Sequence, residues 1–427
     1  MEPRTARRRW LVDTTPLRES PAFRRLWVGQ SLAGIGTQLT VVTVGLQAYD
    51  LTSSTFAVGL VGVFALVPLV ALGLYGGALV DAHDRRRVAL LASLALWAVA
   101  IALAAQAWLG SGSIELLYAL VALQSAAFAV NNPARSAIVP GLVPAAQLPA
   151  ANALSGTANA LALTAGPLLA GFLVDGGGFR VAYTVDAVTF VAALAGVWRL
   201  PPVPPHRPDG ARRAGLRSVL EGVRFLGTRP NVRATFLVDL CAMVLAMPRV
   251  LYPAIGAVDL GGGARTVGLL GAGFAAGSVL AGLLSGPLGQ VRRQGAVVVG
   301  CVAVYGAAVA AFGAVLVAAP DGAGWRLAAC TGLLAVCGAA DAVSSIFRGT
   351  ILQVATPDAL RGRLQGVFIV VVAGGPRLGD VVLGGTAELT GEGVAALAGG
   401  LACVVAVLLL ARAQRGFTRY DALHPQP

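Results

Sequence analysis

The sequence predicts an all-α membrane protein, with twelve transmembrane helices in two pseudo-symmetric six-helix bundles. Three observations predict it. Apolar runs long enough to cross a bilayer recur along the whole chain. Arginine is concentrated on alternate loops. A polar loop pattern occurs twice, 213 residues apart. Composition agrees: of 427 residues 56% are hydrophobic and 12% charged, and mean hydropathy is +0.76. A soluble domain carries about twice that charged fraction.

The runs lie near 27–49, 57–80, 88–108, 114–134, 150–174, 180–198, 234–255, 266–288, 295–319, 326–347, 364–387 and 392–411. Each is close to the ~20 residues that span a bilayer as a helix. The first run follows Arg4, Arg7, Arg8 and Arg9 without a short apolar core and cleavage site. It reads as an uncleaved helix rather than a signal peptide. Glycine is abundant within the runs, as at Gly268, Gly271, Gly273 and Gly277 in the eighth. In lipid such small residues let helices approach closely.

Orientation follows from arginine. With the N-terminus taken as cytoplasmic, 27 of the 32 arginines fall on the inner side. Only Arg180, Arg265 and Arg326 fall outside, and Arg249 and Arg377 lie within runs. Arginine resists translocation, so both termini are expected in the cytoplasm, with the chain in the cell (inner or plasma) membrane.

The longest polar segment divides the chain. Residues 1–198 read as an N-terminal six-helix bundle, 199–233 as a cytoplasmic linker, and 234–427 as a C-terminal six-helix bundle with a cytoplasmic tail. The linker opens with a stretch rich in proline and arginine. Its "LRSVLEGVRFL" spaces apolar residues as a short amphipathic helix would, with Arg217 and Arg224 on other faces. The halves repeat. "NNPARSAIVPGLVPAAQL" carries Arg135, Ile138 and Pro144, and "IFRGTILQVATPDALRGRL" carries Arg348, Ile351 and Pro357, each pair 213 apart. Tandem halves of this kind suggest bundles related by pseudo-symmetry.

Several function classes drop out. Net charge is +12, yet all of the basic residues are arginine and there is no lysine. No Gly-Lys-Ser/Thr phosphate loop and no Schiff-base lysine can exist. The charge follows topology and gives no reason to expect a nucleic-acid partner. Cys241, Cys301, Cys330, Cys337 and Cys403 all fall in apolar runs without metal-like spacing, and His83, His206 and His424 lie far apart. No metal or other cofactor is expected. An intramembrane enzyme would need paired catalytic groups, and the sequence supports none, so no enzymatic activity is expected.

The most distinctive loop is Gly76-Gly77-Ala78-Leu79-Val80-Asp81-Ala82-His83-Asp84-Arg85-Arg86-Arg87, a charged hairpin between the second and third runs. Its Gly-x-Leu-x-Asp-x-x-x-Arg-Arg pattern resembles the loop between helices two and three of the major facilitator superfamily. The whole stretch looks most like the branch of enterobactin exporters and drug-efflux proteins, in which "NPARxAxxPxLVP" and "RxxLLQxATPxxLRGR" also recur. Ala82 stands where that family usually carries arginine. The resemblance implies the major facilitator fold and a gating loop of Gly77, Asp81, Arg85 and Arg86. Asp81 is expected to meet the N-terminal end of the eleventh helix and latch the two bundles while the cavity faces outward. Arg87 reads as a topology residue. The matching loop of the second half has Gln290 where an Asp would stand, so a second latch is expected to be weaker.

Within the fifth run, Gly166, Pro167 and Gly171 resemble the glycine-proline motif of drug/proton antiporters; a simple packing kink reads equally well. Charges inside the runs and away from their outer ends are Asp186 in the first half, and Asp239, Arg249, Asp341, Arg377 and Asp380 in the second. A charge at the bilayer centre usually has a partner or a wet cavity. The last five are candidates for ion coupling or substrate binding, with Asp380 expected to pair with Arg377 along one helix face. Asp186 and Asp341 read more simply as stabilising helix ends. A partly desolvated carboxylate can carry a proton. Against that, the fourth run has only Gln124 where many proton-coupled exporters carry Arg-x-x-Gln-Gly. Gln30, Gln38, Gln47, Gln124, Asn131, Asn132 and Asn159 could line a cavity for an organic molecule.

The reading is therefore a monomeric secondary transporter that exports a hydrophobic or amphipathic small molecule, a drug or siderophore-like metabolite, by alternating access. Protons are the candidate coupling ion. An importer of the same fold, or a non-transporting receptor or scaffold, is the alternative.

Overall fold

A computed structural model describes residues 13–202, 224, 226–286, 288, 291–318, 324–354 and 358–421; within these, the side chains of 74–78, 80–82, 353, 358–370 and 372–373 are not described. Most of the linker, residues 203–223 and 225 with the expected amphipathic helix, lies outside the described residues, as does Gln290.

Long helices dominate: α1 (Pro21–Thr52), α2 (Thr55–Ala82), α3 (Arg85–Leu109), α4 (Ile114–Ile138), α5 (Leu148–Trp198), α6 (Pro230–Leu245), α7 (Gly263–Leu283), α8 (Gln294–Ala318), α9 (Trp325–Val354), α10 (Asp358–Thr390) and α11 (Glu392–Ala413). Nine helical segments among the described residues are long and apolar enough to cross a membrane, one of them carrying both limbs of α5. The first four runs fall on α1–α4 and the last five on α7–α11, so the helices are consistent with twelve spans.

Local signals set the boundaries. Ser20, Ser54 and Ser113 each accept a hydrogen bond from a backbone N–H of the first turn, capping α1, α2 and α4, and Asp84 does the same for α3. Gly110 ends α3 in the left-handed region at φ 65°.

The break expected between the fifth and sixth runs falls at Gly178, which is non-helical at φ 70° within the otherwise helical stretch from Leu148 to Trp198. One expectation of continuity is corrected, that of the seventh run, expected as one helix over 234–255. There α6 ends at Leu245, and a 3₁₀ turn (Pro248–Leu251), a short helix (Tyr252–Ala254) and a π turn (Ile255–Asp259) follow. Met247 is extended, as a residue before proline tends to be.

In the first half α1 packs on α5, α2 on α4, and α3 on both α4 and α5. In the second, α7 packs on α9, α8 on α9 and α11, and α10 on α6 and α11. The principal contacts across the halves are α2 with α10 and α5 with α7. Large apolar side chains such as Leu91, Val188 and Leu389 are exposed on the outside of the helices, where lipid would replace water.

Candidate functional site

The interruption after α6 places irregular backbone at membrane depth. Such backbone is tolerated where it lines a cavity. Here Met247, Pro248, Arg249, Val250, Tyr252 and Pro253 line a cavity of about 590 Å³, within the size range of small-molecule sites. The first half contributes Gln38, Val41, Val42 and Gly45 of α1, Val58, Val61 and Gly62 of α2, and the α5 face from Thr157 to Pro167. The second adds α7 from Val267 to Leu283, and Arg377 and Asp380 of α10. Both halves thus build one chamber with a mostly apolar wall.

The chamber is closed at one end. At the face carrying Ser53, Gly110 and Gly391, the start of α2 is tied to the α10–α11 turn. Ser54 Oγ donates to Glu388 Oε2 at 2.9 Å, Thr55 Oγ1 donates to Glu392 Oε1 at 2.8 Å, and the Phe56 N–H points at the same Glu388 oxygen at 3.4 Å. Below them α2 lies almost on the α10 backbone: a Cβ on Gly59 would stand 2.5 Å from the Asp380 carbonyl oxygen. The second seam joins α5 and α7, where a Cβ on Gly171 would stand 2.7 Å from the Ala264 carbonyl oxygen and 3.0 Å from Gly268 Cα. Gly166 instead lies against Gln38 of α1, and Pro167 against Gly268 and Gly271. The expected glycine-proline cluster therefore serves two contacts, one within its half and one across halves. Toward the face that carries the linker, the lining reaches Gly282 and exposed Leu283 at the end of α7. The chamber opens on that side.

Among the described residues, three charges line the chamber. Asp380 pairs with Arg249, Nη2 to Oδ2 at 2.9 Å and Nε to Oδ1 at 3.3 Å, a two-point fork across helices. The Asp380 side chain is 7% exposed and that of Arg249 is 36% exposed. This corrects the expected Arg377–Asp380 pair along α10. Arg377 makes no hydrogen bond or ion pair among the described residues and lines the chamber one turn before Asp380. Glycine allows this placement: a Cβ on Gly375 would stand 3.3 Å from Met243 Sδ, and one on Gly62 would stand 3.2 Å from Asp380 Oδ2 and 3.4 Å from Arg377 Cδ.

A second charged group lies away from the lining. Arg348 of α9 pairs with buried Asp239 of α6 and, at 3.3 Å, with Asp341 one helix segment earlier. Asp341 is therefore no helix-end residue; it sits midway along α9 and shares one guanidinium with Asp239. The sequence-equivalent Arg135 has a neutral hydrogen-bond partner among the described residues, its Nη2 and Asn131 both donating to Ser93 Oγ at 3.0 and 2.8 Å.

Several expected lining residues belong to packing instead. Asp186 accepts from Thr40 at 2.7 Å and is 1% exposed, which bridges α5 to α1 rather than ending a helix. Gln47 exchanges hydrogen bonds with Gln106 and accepts from Tyr183 at 2.7 Å. Of the seven amides named from sequence, Gln38 lines the chamber. In the gating loop, the side chains of Gly77's neighbours and of Asp81 lie outside the described residues. Arg85 donates to the Ala137 carbonyl at 3.1 Å and Arg86 to that of Trp198 at 2.6 Å. Both arginines thus tie the start of α3 to other helix ends of the first half.

Sequence reasoning missed Gly59, Gly62, Glu388, Glu392 and Tyr252. It also missed the break at Met247-Pro248, although that proline was visible.

A family model described as Transmembrane secretion effector matches residues 12–425. The enterobactin exporter EntS of Citrobacter koseri is 30% identical over 406 residues, covering 95% of this chain and 94% of that one. EntS of Shigella boydii is 29% identical over 418 residues, covering 98% and 97%. Among solved structures, a bacterial homologue of the iron transporter ferroportin in an inward-facing state gives a TM-score of 0.67 at 15% identity, covering 93% and 98%. A peptide transporter of the POT family gives 0.72 at 12% identity, covering 94% and 95%. At such identity these structures speak to the fold alone.

Proposed function

The chain belongs to the Transmembrane secretion effector family of the major facilitator superfamily, and on that premise we propose that this multi-pass membrane transporter exports a hydrophobic or amphipathic small molecule by alternating access. The observation that carries the reading is the chamber itself: both halves line it, two helix seams close one end, and it opens at the other. The full-length similarity to enterobactin exporters supports the outward direction and a siderophore-like or drug-like cargo. The arginine distribution supports cytoplasmic termini and linker, in the inner or plasma membrane. On that orientation the chamber faces the cytoplasm, ready to load. The carboxylates Asp239 and Asp341 on one Arg348, away from the lining, support a proton as the coupling ion. The linker divides two six-helix units, and the protein works as a monomer.

The test is flux in proteoliposomes sorted by orientation. With protein inserted inside-out and an acidic lumen, a panel of siderophores and amphipathic drugs should include a compound that accumulates. Uptake only in right-side-out vesicles would make the protein an importer, and no gradient-dependent movement in either would favour a receptor or scaffold. Cysteines introduced at Gly210 and Gly322, in a background without the native five, should label from opposite faces. Labelling of Gly210 from outside the cell would overturn the orientation.

A further inference from the structure

We propose that the molecule carried in the chamber bears an anionic group, which Arg377 receives beside the Arg249–Asp380 pair. The inference rests on the chamber being the transport path and names the class of cargo. Among the described lining residues only Arg249, Arg377 and Asp380 are charged, and together they carry a formal charge of +1. Asp380 is already engaged: each of its oxygens faces a nitrogen of Arg249. Arg377 is left without a hydrogen bond or ion pair among the described residues. A guanidinium always stays charged, and its planar fork matches a two-oxygen anion such as a carboxylate. Held against an apolar wall, it needs a counter-charge from whatever enters.

The rest of the wall fixes the remainder of the cargo. Val41, Val61, Leu163 and Phe274 offer apolar surface, and the volume of about 590 Å³ suits a body of drug size. The cargo is therefore an amphipathic anion. A lipophilic cation, which also suits an apolar chamber, is disfavoured by the two arginines.

Position links binding to gating. Gly62 of α2 faces both Arg377 and Asp380, and Gly59 touches the Asp380 backbone. An anion on Arg377 thus sits beside the α2–α10 seam that must part to release cargo on the closed side.

The test uses 1-pyrenebutyrate, its neutral amide, and a pyrenebutyl-trimethylammonium analogue, titrated against purified protein in zwitterionic lipid nanodiscs. The saturable part of binding is compared. The carboxylate should bind at least tenfold tighter than the amide, about 1.4 kcal/mol, and the cation weakest. Arg377→Gln should make acid and amide equal, while Arg377→Lys should keep part of the preference. Equal wild-type affinity for acid and amide overturns the proposal without any variant, as does a preference that survives Arg377→Gln. Failure of the export reading looks different: the carboxylate would still bind preferentially, yet no compound would leave in the flux assay.

Discussion

Asp380 shows how much one carboxylate can organise. It is 7% exposed and both its oxygens face Arg249. Removing one member of such a pair strands the other, a loss of ~3–5 kcal/mol when both are fully buried. Arg249 is 36% exposed, so water offsets part of the loss and about 2 kcal/mol is expected for Asp380→Ala. Thermal unfolding should show Asp380→Ala and Arg249→Met each lowering Tm, with the double variant recovering most of the loss. Additive losses would mean that the two side chains do not act as a pair. Asp239 differs, because Arg348 keeps Asp341 when Asp239 is changed. Asp239→Asn should therefore retain cargo binding and lose proton-driven flux; flux at the wild-type rate across a pH gradient removes the proton role. Rarity in apolar runs marked these carboxylates and Arg249 in the sequence, and the internal repeat marked Arg348. Their partners were not legible, since Arg249 and Asp380 stand 131 residues apart and only folding sets that distance. The i, i+3 spacing of Arg377 and Asp380 was a local fact that a better cross-helix fork overrides.

At the scale of elements, the closed end is a helix N-terminus held by carboxylates. Ser54, Thr55 and the Phe56 N–H at the start of α2 meet Glu388 and Glu392. Negative groups near a helix N-terminus contribute about 0.3–1 kcal/mol each through the helix dipole, besides their hydrogen bonds. A latch between α2 and α10 was expected at the other end of the same two helices. The one the described side chains reveal has its acids on α10 and α11 and the helix start on α2. Glu388→Gln with Glu392→Gln should weaken this end by roughly 1–2 kcal/mol, a shift of about five- to thirtyfold in the balance of states. Spin labels at Leu109 and Leu389, both strongly exposed on the closed face, should report a longer-distance population by double electron–electron resonance. An unchanged distribution would leave the glutamates as surface residues. Helix starts are set locally, by the caps at Ser20, Ser54 and Ser113. The break at Met247-Pro248 has a local signal too, which was missed: proline lacks an N–H and extends its predecessor. The α5 turn was legible, because Asp175, the glycines up to Gly178 and Arg180 interrupt the apolar run there.

For the whole molecule, hydropathy made the helical membrane fold plain because lipid demands internal hydrogen bonding of every spanning segment. The two-fold repeat also showed, but not how unequal the halves are. The buried charges described in the first half, Arg135 and Asp186, meet the neutral partners Ser93 and Thr40 away from the chamber, whereas charged groups of the second half reach the chamber or share Arg348. That asymmetry suggests a division of labour in which the second half binds and couples while α2 and α5 of the first supply glycine surfaces that part and close. Alternating access then depends on balance between two ends. The seams of the present state lie on the closed face. The opposite state needs its own closure near the linker, and we propose that Asp81, at the far end of α2, supplies it. Asp81→Asn is nearly isosteric and should leave the fold and Tm unchanged. It should further favour the state seen here, the reverse of the glutamate variants, and slow flux because cargo is loaded but not carried across. Loss of about 1.4 kcal/mol would shift the populations tenfold. Labels at Ala82 and Ala359 should then lose their short-distance population, and combining Asp81→Asn with Glu388→Gln should bring the distances back toward the wild-type balance. If Asp81→Asn alters neither distances nor flux, Asp81 serves topology alone and the closure near the linker must be built from other residues.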